Sequence, residues 1–208
     1  VVMKYIYRTI LFLFALNLMA MGIALYLKAD IGVGPWDVLH NNLYEYYQLT
    51  FGTWVFIVGI IAILFSLLLH YRPKNLLAII SGLIMGKLID IWLIEVFVFK
   101  VDNLILQLLI FICAIILLGN GIALLVITKF PPTPGDVLML SIINKFKLNY
   151  LKAKTLTDLL AFIVAILIGL INGAPFNKIG IGTLLALFFI GGVIEVTSKF
   201  WQRLLKEV

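Results

Sequence analysis

Gly22-Ile-Ala-Leu-Tyr-Leu-Lys-Ala-Asp-Ile-Gly-Val-Gly-Pro-Trp-Asp-Val-Leu39 decides the architecture, because it recurs. It aligns without a gap on Gly121-Ile-Ala-Leu-Leu-Val-Ile-Thr-Lys-Phe-Pro-Pro-Thr-Pro-Gly-Asp-Val-Leu138, with 8 of 18 positions identical at a constant offset of 99. Gly-Ile-Ala-Leu alone is within reach of an apolar composition. Pro-x-Asp-Val-Leu is not, in a chain with six prolines and six aspartates. A weaker echo at offset 105 sets Gly86-Lys-Leu-Ile-Asp90 against Gly191-Gly-Val-Ile-Glu195. The chain therefore reads as one membrane domain built from two copies of a unit, residues 1–100 and 101–208.

Of 208 residues, 63% are hydrophobic and 12% charged, and the mean hydropathy is +1.16. A soluble domain has roughly a quarter of its residues charged. Apolar side chain suffices here for a greasy exterior as well as a core, which excludes an ordinary soluble enzyme, a disordered chain and a disulfide scaffold. Cys113 is the one cysteine, so no internal disulfide is available. A helical span needs about 20 apolar residues. Six segments qualify: 5–27, 53–69, 76–99, 104–127, 155–171 and 180–200. Polar breaks separate them, such as His70-Tyr-Arg-Pro-Lys74, Lys100-Val-Asp-Asn103 and Asn172-Gly-Ala-Pro-Phe-Asn-Lys178.

The net charge of +6 reports orientation rather than nucleic-acid binding. With both termini cytoplasmic, twelve of the 16 Lys and Arg fall inside, Lys28, Lys100 and Lys178 fall outside, and Lys87 lies within a span. An eight-span scheme, counting 36–47 and 135–146 as crossings, weakens that bias and uses stretches too short and polar to span. The first segment follows Lys4 and Arg8 but is longer than a signal h-region, so it is expected to be retained as a span. Three spans per copy is an odd number. The second copy is therefore expected to enter the membrane from the opposite side, a 3+3 inverted repeat of the kind many secondary transporters use.

Gly34-Pro35-Trp36-Asp37 and Thr133-Pro134-Gly135-Asp136 both read as helix starts. Gly34 or Thr133 is the N-cap, proline takes the first position where its missing donor is harmless, and Asp sits at the third, facing the free N–H groups. Each following helix, 36–47 or 135–146, is about 18 Å long. It either lies flat at the interface, with Asp37, Asn41, Tyr44 and Glu45 toward water and Val38, Leu39 and Leu43 toward lipid, or re-enters the protein as a half-helix. The apolar Val137–Ile143 favours insertion for the second copy.

The Gly32–Leu39 block after a span ending Gly22-Ile-Ala-Leu25 resembles the YczE/YyaS/YitT-type family of small bacterial integral membrane proteins. The Thr133–Leu138 block and Gly180-Ile-Gly-Thr183 are similar to that family too, so the resemblance covers nearly the whole chain. It implies a multi-pass protein of the bacterial plasma membrane and carries no reaction with it. Trp36 in one copy stands where Gly135 stands in the other, so the two half-sites differ chemically.

Ionisable residues inside spans are costly and count as site candidates. The candidates for a substrate or ion path are Asp37, Lys87, Asp90, Asp136 and Glu195. Lys87 and Asp90 have the i,i+3 spacing of a self-neutralising pair. Asp158 is expected to pair with Lys154 at the interface, and His40 and His70 lack a second ligand at metal spacing. No Ser/His/Asp set, phosphate loop or cysteine pair appears, so neither an enzyme, a cofactor nor a bound metal is expected. The function favoured by this pattern is secondary transport of a small solute through the repeat interface. The alternatives are an accessory protein packing on partners through Gly82/Gly86 and Gly191/Gly192, and the substrate-binding subunit of an energised importer. The expected partners are the lipid bilayer and a small-molecule or ion substrate, with homo-oligomerisation left open and nucleic acid excluded.

Overall fold

The computed structural model describes residues 2–174, 176 and 178–205, without the side chains of Val2 and Lys4. Pro175 and Asn177 of the last interspan break, and Lys206 to Val208, lie outside the described residues. Among the described residues there are eight α-helices and no strand: α1 Val2–Ala29, α2 Pro35–Tyr46, α3 Phe51–Leu69, α4 Ala78–Asp90, α5 Leu104–Thr128, α6 Pro134–Phe146, α7 Tyr150–Ile171 and α8 Ile181–Leu204. Six helical segments are long and apolar enough to cross a membrane, and α2 and α6 are the two short ones.

Caps set the boundaries that periodicity leaves open. Asn149 Oδ1 accepts from Lys152 N at 2.9 Å and starts α7 five residues before the expected 155, through a polar first turn. Asn103 Oδ1 accepts from the Ile105 and Leu106 amides and starts α5. The third span departs most from a uniform helix over 76–99. It opens with a 3₁₀ turn, Pro73–Leu77, continues as α4, and widens into a π turn over Ile91–Val96, closed by Phe97 N donating to Trp92 O at 2.8 Å. The cause lies in the side chains. Trp92 donates from Nε1 to Asn17 Oδ1 of α1 at 3.0 Å and stacks on Phe97 at 5.1 Å, which holds the extra residue in place.

Contacts divide the chain into two units. The first comprises Val1–Gly34, Leu88–Phe130 and Ile179–Val208, and its centre is the antiparallel crossing of α1 and α5. Ala15, Ala20 and Ala24 of α1 and Ala114 and Ala123 of α5 are fully buried, small enough to bring the backbones together. A Cβ on Gly22 would stand 2.8 Å from Leu118 Cγ and 3.0 Å from Ala114 O, and one on Gly121 would stand 2.5 Å from Met19 Cγ and 2.8 Å from Ala15 O. Phe12 stacks on Phe130 at 5.0 Å, and Tyr26 tilts against Phe111 at 5.1 Å. α8 joins α5 through Thr197 Oγ1 donating to Gly119 O at 3.1 Å and Trp201 Nε1 donating to Asn120 Oδ1 at 2.8 Å. After α1, Gly32 adopts φ +116° and passes so close to Gly180 that a Cβ would meet its nitrogen at 2.7 Å; only glycine meets both demands.

The second unit comprises Pro35–Lys87 and Pro131–Lys178. In it α2 packs along α7, and α6 packs along α3. Each short helix thus rests on a long helix from the other copy of the sequence repeat. Asn42, fully buried, donates to Ala165 O on α7 at 2.8 Å. Asn75 donates both to Ser66 Oγ of α3 at 3.1 Å and to Ser141 Oγ of α6 at 3.3 Å. Of the two arrangements open to α2, the flat-lying one is met in part: Tyr44 and Glu45 are exposed, while Asn41 is buried and Val38 and Leu39 are covered by protein.

The tight α1–α5 crossing gives a direct test. Gly22→Ala and Gly121→Ala should each destabilise the detergent-solubilised protein by about 1–3 kcal/mol, since the new methyl meets backbone. Gly192→Ala, where nothing lies within 4 Å, should be neutral or slightly stabilising. Thermal denaturation of the three variants checks this.

Candidate functional site

The second unit brings the starts of α2 and α6 together. Pro134 holds the start of α6 in place: Cβ atoms built on Gly59 of α3 and on Gly82 of α4 would each stand 3.0 Å from its ring. Ser81 Oγ donates to Pro132 O at 2.9 Å and fixes the preceding segment. The Trp36 ring, one residue into α2, covers Gly135, one residue into α6, at a distance (3.8 Å) that a Cβ there would just meet. A larger residue at 135 would displace the indole, which accounts for the Trp/Gly difference between the two copies.

The two carboxylates that follow are held differently. Thr133, the cap of α6, donates from Oγ1 to Asp136 Oδ2 at 2.7 Å while its hydroxyl oxygen accepts from Asp136 N at 3.4 Å. Gly34 before α2 has no hydroxyl, so Asp37 has no such tether. Its Oδ1 lies 4.0 Å from Nδ1 of His40, one turn along α2. From α7 come Lys154 and Asp158, ion-paired at 2.6 Å, and both act electrostatically on Asp37 and on Asp136. The acids and the imidazole are mostly covered, with side chains of Asp37, Asp158 and His40 17%, 16% and 9% exposed, while Lys154 is 44% exposed.

α2 and α6 are not spans, and the protein around them sets the protonation of their side chains. Burial pushes the Asp37 carboxyl up to about 7, against a downward pull from Lys154. Burial raises Asp136 as well, opposed first by its bond from Thr133. Burial lowers the His40 imidazole to about 3, so it is neutral at ordinary pH.

The other expected path residues are not brought into this cluster. Lys87 is exposed on α4, and Asp90 ends that helix half-buried. Glu195 is mostly exposed on α8 and is bonded to Lys199 at 2.6 Å. The Lys154–Asp158 pair forms as its i,i+4 spacing predicts, with Lys154 exposed and Asp158 mostly covered. His40 is buried. Gly82 and Gly86 are occupied internally, by Pro134 and by Gly52, and are not a partner surface; Gly191 and Gly192 have open space. Lys154, Asp158 and His40 join the cluster because α2 packs along α7; the one sequence signal toward it is the i,i+4 spacing of Lys154 and Asp158.

Six apolar spans with two short helices packed among them define a polytopic integral membrane protein. The chain belongs to the family described as "Family of unknown function (DUF6198)", whose model matches residues 6–199. It is similar to "Uncharacterized protein YyaS" of Bacillus subtilis (strain 168), 32% identical over 205 residues that cover 97% of this chain and 95% of that one. "Uncharacterized membrane protein YczE" of the same organism is 24% identical over 181 residues, covering 86% and 80%. An "Uncharacterized protein" of Haemophilus influenzae is 24% identical over 206 residues, covering 95% and 87%. No solved structure matches the chain.

Burial of the cluster has a signed consequence for stability. Asp37 is raised from 3.8 to about 7, so its contribution is full below pH 3.8 and is lost as pH climbs through 7. His40 runs the other way: its contribution is present above 6.5 and is lost as pH falls toward 3. The difference in melting temperature, wild type minus Asp37→Asn, should therefore fall steadily over pH 4 to 7. A pH-independent difference would remove Asp37 from the titrating groups.

Proposed function

We propose that this protein is a secondary transporter of a small solute, with its binding site where α2 and α6 begin. One observation carries the reading: two half-length helices start side by side, with the carboxylates of Asp37, Asp136 and Asp158 mostly covered beside them and Lys154 reaching out from the Asp158 pair. Irregular backbone and half-helix starts at depth are tolerated in membranes only where they are buried in protein or line a cavity, and transporters use them to hold solutes and ions.

The 3+3 inverted repeat is part of the same proposal, supported by contacts that obey the offset of 99. Gly22 meets Ala114 and Leu118 while Gly121 meets Ala15 and Met19, each the image of the other under exchange of copies. Left-handed residues end α1 at Asp30 and α5 at Lys129. Asn42 reaches position 165 as its counterpart Ser141 is linked through Asn75 to position 66. In this reading α2 and α6 are re-entrant, the termini are cytoplasmic, and the protein resides in the bacterial plasma membrane as a non-enzymatic carrier.

The test is a thermal-stability screen of purified protein with a panel of amines, amino acids, carboxylates and inorganic cations, followed by flux into proteoliposomes. A bound solute raises the melting point by mass action. Asp37→Asn and Asp136→Asn should insert and fold, with a stability loss of about 1 kcal/mol, yet lose solute-dependent stabilisation and flux. The double variant should be little worse than either single one, because both serve one pathway. Full solute response in both Asn variants would make these residues caps and return the path to Lys87 and Asp90.

A further inference from the structure

Two buried side-chain atoms of α2 lack a hydrogen-bond partner, His40 Nδ1 and Asn42 Oδ1. The first is aimed into the acidic cluster, 4.0 Å from Asp37 Oδ1, while the imidazole is walled by Trp36 at 6.3 Å and by the edge of Phe51 of α3 at 5.8 Å. We propose that Asp37 is the proton-binding residue of this protein, and that His40 Nδ1 is the acceptor that holds the proton on it. This rests on the transport reading above and makes its coupling ion a proton.

The chemistry of the pair selects the acid form. A neutral imidazole with its hydrogen on Nε2 offers a lone pair at Nδ1, and an ionised carboxylate also only accepts. Facing each other, those two gain nothing and stay apart, as found at 4.0 Å. A carboxylic acid instead carries an O–H, and rotation of the Asp37 side chain brings it within hydrogen-bond range of Nδ1. That rotation is open to Asp37 because Gly34 supplies no hydroxyl; Thr133 denies it to Asp136.

Charge balance points the same way. The charged groups acting on Asp37 are Lys154 and Asp158 from α7, which also act on Asp136 of α6; His40 stands on the same helix as Asp37, and α3 presents Phe51. Three carboxylates face one ammonium, and two helix starts add about half a positive charge each. Roughly one negative charge is left over, and a single proton neutralises it. The raised proton affinity that burial gives Asp37 agrees with this.

Infrared difference spectroscopy of the lipid-reconstituted protein, titrated without any added solute, tests the assignment. A carboxylic-acid C=O band should grow as pH falls through neutrality and be lost in Asp37→Asn. In Asp37→Glu a titrating band should persist with a displaced midpoint. His40→Leu should move the band to higher wavenumber, since the acid O–H then has no acceptor. His40→Asn should keep it near the wild-type position, its amide oxygen standing in for Nδ1. Glu195→Gln should leave it unchanged. A band that survives in Asp37→Asn, one that does not move in His40→Leu, or no titrating band at all overturns the proposal. A midpoint that shifts when sodium replaces potassium at constant ionic strength overturns it too, in favour of a metal cation. A normal titration in a protein that carries no solute across proteoliposomes would defeat the transport reading while leaving the proton site standing.

Discussion

A helix that begins inside an apolar medium brings its first four N–H groups to a place where water cannot satisfy them. Under the re-entrant reading proposed above, the starts at Pro35 and Pro134 are of this kind, and the composition of the second unit meets that demand. Proline removes one donor at each start, and Thr133 and the two aspartates stand where they answer others. Gly59 and Gly82 leave room for the Pro134 ring, and Gly135 leaves room for the Trp36 indole. The buried carboxylates are in turn costly, and Lys154 meets part of that cost from α7. Glycines, prolines and acids that look scattered along the sequence are thus answers to one problem of unsatisfied backbone.

The first unit solves a plainer one. Lipid offers no hydrophobic drive for helices to associate, so close packing has to hold α1 to α5. Gly22 and Gly121 permit contact between backbones, and the alanines beside them keep the approach close along the crossing. Tyr26 shows how little polar chemistry the crossing needs: its ring packs on Phe111 and its hydroxyl donates to Gly182 O at 3.3 Å.

The six spans were legible in the sequence because length and hydropathy alone define them, and Leu104 and Leu69 fall where the expected boundaries put them. The short helices were legible because Pro-x-Asp is a start signal with a mechanism. Other features depended on partners far along the chain. Nothing local says that Trp92 will find Asn17 and widen the helix into a π turn, or that Asn41 will be covered instead of wet. The candidate site divided along the same line. Asp37 and Asp136 were visible as members of a repeated motif, whereas His40 and Lys154 acquire their place only when α7 is laid beside α2. Lys87 and Glu195 lie exposed on their helices, and only the fold shows which face of an apolar run a charge occupies.

The exchange of short helices between the sequence copies also has a consequence in time. α2 rests mainly on α7, which ends at Ile171, so a nascent chain that has delivered its first hundred residues offers α2 only its lesser seat, on α3. α6 has no such wait, because α3 precedes it by some eighty residues. During synthesis α6 finds its main seat already made, while α2 waits for its own until four-fifths of the chain is made. Severed at the boundary between copies, each fragment would keep only the lesser contact of its short helix, and the two would have to be present together for either to finish folding.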